Sequence, residues 1–198
     1  MSVLYKTVAR EAEAEQIIEK SCFIAHIKPA GTREEAEAFI AEIKKKYKDA
    51  THNVPVMVIG DKMQLQWGSD DGEPQGTSGA PIVQMLVKEE LTNLCIVVTR
   101  YFGGVKLGTG GLVRAYTSSA KLAIDAAGVK EVRDFKEIKA VIPYYQLARL
   151  QNLEKDMPFE ILGIEYLDNP VIIFRCESEN EEILCNLLTE LTKGKFKK

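Results

Sequence analysis

Histidine is nearly absent from this chain: its 198 residues include two, His26 and His52. Cysteine is sparse too. Cys22, Cys95, Cys176 and Cys185 are scattered, and none stands in a Cys-x-x-Cys pair. That argues against a structural zinc centre, which draws on closely spaced thiolates and imidazoles. Cys22, Cys95 and Cys176 fall in apolar, strand-like runs, as buried free thiols do in a reducing compartment. No apolar run approaches the ~18 residues of a membrane span. The first residues lack the basic, apolar, then small-residue succession of a signal peptide, so a cytoplasmic location and no membrane partner are expected. Charge of one sign is also missing: 26 Lys and Arg face 29 Asp and Glu, a formal net charge of −3. A uniformly basic nucleic-acid coat is thereby excluded, although a local basic patch is not. What is present is a hydrophobic share of 45%, enough for a sizeable core and too much for a disordered chain.

Periodicity predicts an α+β chain. The Glu- and Ala-rich residues 11–20 suit a short helix, and the alternating Ser21–Ile27 a strand. Thr32 with Glu35 forms a capping-box pattern that opens a helix to about Tyr47, with Ala36, Phe39, Ile40 and Ile43 on one face. Val54–Ile59 reads as a strand paired with Met63–Trp67 across Gly60-Asp61. A polar loop, Ser69–Ala80, leads to a helix with Thr77 or Ser78 as cap and Pro81 in its first turn. Leu94–Thr99 is almost continuously apolar and β-branched, which suits a central strand. A Gly-rich loop and a helix from about Gly110 to Ala127 follow, with Gly128 as stop. The charged stretch Glu131–Lys136 marks a boundary, giving domains 1–133 and 134–198. Beyond it, strand Ile138–Ile142, helix Tyr144–Lys155, strands Glu160–Leu167 and Val171–Glu177, and helix Glu181–Leu191 give the order of a ferredoxin-like domain without its last strand. Lys195–Lys198 is too short and basic to supply it.

Three segments could carry chemistry. Arg100 to Arg114 joins a buried strand to a helix, where free backbone N–H groups and the positive dipole end meet. Arg100, Lys106 and Arg114 add charge, and Gly103, Gly104, Gly108, Thr109, Gly110 and Gly111 make the loop. Together they suit a phosphate. Standard nucleotide motifs fail: Val113 stands where G-x-G-x-x-G needs glycine, and Thr109 where a P-loop needs lysine. Packing alone could equally demand these glycines. In the second segment, Ser69–Gly79, Asp70, Asp71 and Glu73 could hold a divalent cation through oxygens, with Asp70 and Asp71 the candidate ligands. The alternative is a polar turn built by Gly76, Thr77 and their neighbours. In the third, His52 within Ala50-Thr51-His52-Asn53 is a candidate acid–base group, although no nucleophile motif adjoins it. His26 is read as structural.

In this order the segments resemble the IMPACT family of translation-associated proteins, in its bacterial YigZ-like branch. The resemblance is carried by Ser21-Cys22-Phe23-Ile24-Ala25, Ala50-Thr51-His52-Asn53, Asp70 to Gly79, and Arg100-Tyr101-Phe102-Gly103-Gly104 with Leu107-Gly108 and Gly110 to Tyr116. It implies an N-terminal domain with the ribosomal-protein-S-five domain-2-like fold, followed by a ferredoxin-like C-terminal domain like the last domain of a translocase elongation factor. Eukaryotic relatives act on translation through a partner protein bound by an extra domain that has no counterpart here, so that partner is not carried over.

Three functions follow as expectations. The first is a non-enzymatic RNA- or ribosome-binding protein linked to regulation of translation, without cofactor. Arg100, Lys106 and Arg114 would meet phosphates, and Tyr101 or Phe102 would stack on a base if exposed. The second is a metal-assisted enzyme, a hydrolase or phosphate-handling one, acting at Asp70, His52 and Arg100. The third is a protein partner recruited by the open sheet edge of the C-terminal domain.

Overall fold

The computed structural model describes residues 3–196. The chain divides into two compact units, one of residues 5–132 and one running from Arg133 together with Val3 and Leu4. The first unit contains β1 (Tyr5–Val8), β2 (Ala12–Ile18), β3 (Ser21–Pro29), α1 (Arg33–Lys46), β4 (His52–Ile59), β5 (Leu65–Gly68), α2 (Gly79–Lys88), β6 (Leu94–Tyr101), α3 (Gly108–Ala127) and β7 (Val129–Val132). Five strands form an antiparallel sheet in the order β2-β3-β6-β4-β5, and β1 pairs with β7 in a separate ribbon.

The central strand explains its own sequence. Leu94, Ile96 and Val98 join the core under α2 and α3, whereas Cys95 and Val97 join Ala36, Phe39 and Ile43 of α1 on the opposite face. A strand covered on both faces has no polar side, which is why Leu94–Thr99 reads as an apolar run. The predicted helix over 11–20 is a strand instead. Ala12, Ala14, Gln16 and Ile18 turn inward while Glu13, Glu15 and Ile17 face out. A two-residue turn, Glu19 and Lys20, both with positive φ (46° and 64°), closes the hairpin onto β3. Alternation and pairing outweigh the helix propensity of Ala and Glu. The Thr32 half of the α1 capping box forms, with Oγ1 accepting from Glu35 N at 3.2 Å, while Glu35 reaches one residue further back and accepts from Gly31 N at 2.7 Å.

The second unit holds β8 (Phe135–Val141), α4 (Tyr144–Leu153), β9 (Glu160–Glu165), β10 (Val171–Glu177) and α5 (Glu181–Leu191). Its antiparallel sheet runs β8-β10-β9, the arrangement of a ferredoxin-like sheet that lacks the strand beside β8. Ile138, Ala140, Ile172, Phe174 and Cys176 pack under Leu150 of α4 and Leu184, Leu188 and Leu191 of α5. Lys195 and Phe196 form no strand; the rest of the Lys195–Lys198 tail lies outside the described residues. No helix among the described residues is long and apolar enough to cross a membrane.

Candidate functional site

The strand register places three residues in a row across the first sheet. Phe23 of β3 pairs with Arg100 of β6, and Arg100 pairs with His52 of β4. Arg100 is 5% exposed. Its Nη1 donates to Glu73 Oε1 at 2.7 Å and its Nη2 to Ser21 Oγ at 3.4 Å. The guanidinium lies between the Phe23 and Phe102 rings, 5.3 Å and 5.4 Å from their centroids. Tyr116 of α3 donates a second bond to Glu73 Oε1 at 2.7 Å. Burial, reinforced by the adjoining Glu73 carboxylate, pushes the Tyr116 phenol well above its ordinary range. Arg100, expected to meet a phosphate, instead has its charge paired with Glu73 beneath the surface. Tyr116 closes the Gly110 to Tyr116 segment but is not among the site residues expected from the sequence. The available signal is a phenol on the apolar face of a helix, whose hydroxyl demands a buried partner.

The acidic loop resolves into three separate tasks, which turn Asp70 and Asp71, the candidate metal ligands, to protein donors. Asp70 accepts from Gly76 N, Ser78 N, Ser78 Oγ and Gly79 N at 2.7–3.1 Å. Burial raises its pKa, but these four bonds outweigh that and hold the carboxyl below its ordinary range. Ser78 is the N-cap residue of α2, one of the two expected, but its side chain makes no cap bond; Asp70 accepts from the N–H groups there, and the Thr77 hydroxyl donates to Pro74 O at 2.6 Å. Asp71 accepts from Lys44 Nζ at 2.6 Å and Asn53 N at 2.7 Å. Glu73 serves Arg100 and Tyr116. A carboxylate set facing proton donors in three directions does not surround a cation, and no group of three His, Cys, Asp or Glu among the described residues could hold a metal.

His52 Nδ1 lies 2.8 Å from the Asp71 carbonyl oxygen, and Nε2 lies 3.8 Å from Glu73 Oε1. A carbonyl can only accept, so in the neutral ring Nδ1 carries the proton and Nε2 presents a lone pair. His52, Glu73, Arg100, Phe102, Lys106 and Leu112 are among the walls of a cleft of about 490 Å³. His26 lies elsewhere on the sheet: it is buried, with Nδ1 2.9 Å from Glu13 Oε2.

The Gly-rich loop contributes the mouth of the cleft. A Cβ on Gly103 would sit 1.9 Å from the Lys20 carbonyl oxygen, so only glycine passes the β2–β3 turn. Gly104 and Gly108 have φ of +86° and +67°, the left-handed region that favours glycine. Neither Gly110 nor Gly111 has a positive φ, although a Cβ on Gly111 would press to 3.0 Å on Leu107 Cβ. Tyr101 is partly covered and donates to Asp49 at 3.1 Å, leaving Phe102, 47% exposed, as the free ring. No side chain caps α3 and no acid lies in its first turn. Lys106 and Arg114 are both exposed, and together with Glu19, Gly111 and Ser118 they line a groove of about 570 Å³ beside that helix start.

Two family models match this chain: the Impact N-terminal domain over residues 19–124, and a domain of unknown function, DUF1949, over residues 141–195. The first covers more than half of the chain. The chain belongs to the IMPACT family. IMPACT family member YvyE of Bacillus subtilis is 40% identical over 96% of this chain and 88% of its own. IMPACT family member YigZ of Escherichia coli is 34% identical over 75% of this chain and 74% of its own. Protein IMPACT of Mus musculus is 33% identical over 45% of this chain and 29% of its own. A crystal structure of a hypothetical protein, 28% identical, superposes with a TM-score of 0.63 over 98% of this chain and 95% of that one. The cleft, the acidic loop and the start of α3 all lie within the Impact N-terminal match. Both cysteines of that region are poor nucleophiles: burial raises the Cys95 thiol to about 12, and burial with the nearby Glu15 raises Cys22 to about 11. Cys22 is half-buried rather than buried as expected.

Proposed function

We propose that this IMPACT family protein binds RNA, free or within the ribosome, as a non-enzymatic module in the regulation of translation. One observation carries the reading: Lys106 and Arg114 flank the uncapped start of α3 in one groove, and neither has an ion-pair partner among the described residues. Partial positive charge on the free N–H groups and two unspent cations favour a phosphate. Gly110 and Gly111 leave the first turn bare, so a backbone phosphate can come close. Asp71 and Glu73 are charge-paired with Lys44 and Arg100, and Asp70 is directed to the start of α2. Fluorescence anisotropy of the full chain with labelled RNA tests the proposal. Lys106→Ala with Arg114→Ala should weaken binding of any RNA sequence. Equal binding by the double variant, or no binding by the wild type at low salt, overturns it.

The second unit supports a separate protein contact. Among the described residues β8 pairs with β10 alone, and a partner strand adding to its other edge would complete the sheet.

A further inference from the structure

The cleft beside the groove holds chemistry that phosphate binding does not use. Two acceptors stand in its wall. In the neutral ring His52 Nε2 presents a lone pair, because Nδ1 is committed to the Asp71 carbonyl. Glu73 spends Oε1 on Arg100 and Tyr116, while Oε2 meets no donor among the described residues. Phe102 adds an aromatic surface, with Arg100 against the ring and 47% of the residue exposed. Arg100 Nε, buried in the same wall, has no partner. A ligand suited to this wall is flat, so that it stacks on Phe102, and carries an amino group that donates to the acceptors.

The surroundings say how such a ligand is attached. The cleft shares Lys106 and Leu107 with the groove, so a base in the first lies next to a phosphate in the second. The groove in turn shares Arg114 and Ser118 with a third depression, of about 850 Å³, between α2 and α3. That depression adds Lys88; its Lys121 is already paired with Glu89 at 2.7 Å. The three depressions follow α3 from Gly108 to Lys121, roughly 20 Å at the helical rise. This is a path for a chain of phosphates, not for a free nucleotide. A base held in a duplex has its amino edge already paired and cannot enter.

We propose that the cleft takes one unpaired, amino-bearing base of a single-stranded RNA whose backbone follows the groove along α3. The proposal rests on the RNA-binding reading above and adds strand type and base preference to it.

Cytosine and uracil isolate the amino group, because their rings are alike in size and only cytosine carries it. The full chain is titrated at fixed salt with labelled oligo(C) and oligo(U) of equal length, with duplex RNA as a third probe. Oligo(C) should bind about tenfold more tightly than oligo(U). Phe102→Ala should weaken oligo(C) binding about tenfold while leaving the salt dependence unchanged, and Phe102→Tyr should restore the affinity. Duplex RNA should be indifferent to Phe102→Ala. If oligo(C) and oligo(U) bind alike and Phe102→Ala changes neither, while Lys106→Ala with Arg114→Ala weakens both, the base site is wrong and the RNA reading stands. If no RNA binds at low salt, both are wrong. If CMP alone displaces oligo(C) at matching molar concentration, the cleft is a nucleotide site without a strand path, and the proposal fails.

Discussion

Glu73 is the residue on which the site turns. Its buried carboxylate balances the Arg100 guanidinium and holds Tyr116 of α3 to the end of β6. Removing one partner of a buried pair strands the other, so Glu73→Ala should lower unfolding free energy by about 3–5 kcal/mol. Tyr116→Phe should cost about 1–2 kcal/mol. Urea denaturation measures both, and equal small losses would contradict the placement. Asp70 gives a pH signature. Its folded pKa is depressed, so its contribution is complete above the unfolded value of about 3.9 and is lost as pH falls through the folded one. Asp70→Asn should therefore be less stable than wild type at neutral pH, with the gap narrowing below about pH 4. Thermal melts across that range decide it. The sequence displays the three acids as one cluster. It cannot display that they face different partners, because Arg100 lies 27 residues from Glu73 and Lys44 lies 27 from Asp71.

Among the elements, α3 joins fold to function. Its middle is core: Leu112, Tyr116, Ala120 and Ile124 bury the helix on the sheet. Its start is bare glycine. A Cβ at Gly110 would meet only Arg114 Nη1, at 3.7 Å, and the backbone there needs no left-handed freedom. Gly110→Ala should thus gain about 0.5–1 kcal/mol in stability. It should also weaken RNA binding, since the methyl covers part of the helix start. A stabilised variant that binds RNA as well as wild type would show that the glycine serves neither purpose. The strand–loop–helix order around α3 is readable because β6 is uniformly apolar and Gly128 stops the helix. The β2 strand is not. Its Ala and Glu residues favour a helix locally, and only the Glu19–Lys20 turn and pairing with β3 reverse that preference. The partner of the α2 start is hidden for a similar reason: the carboxylate that accepts from its N–H groups lies eight residues upstream of Ser78.

On the scale of the whole molecule, the difficulty is charge. A chain with net charge −3 must bind a polyanion through a local arrangement rather than a global field. Residues 1–135 carry about one net negative charge by count, and several of their acids are balanced locally by ion pairs. Lys44 with Asp71, Arg100 with Glu73 and Lys121 with Glu89 are all paired. Lys106 and Arg114 remain unpaired at the groove. Composition does not separate spent charges from free ones, which is why Arg100 looks equivalent to Lys106 in the sequence. The most direct test is the salt dependence of RNA affinity for the full chain and for Lys106→Ala with Arg114→Ala. Each phosphate that the protein no longer neutralises should reduce the slope of log affinity against log salt by ~0.7 for a single strand. The double variant should therefore have a slope shallower by roughly 1.4. An unchanged slope would place the phosphates elsewhere and contradict the account.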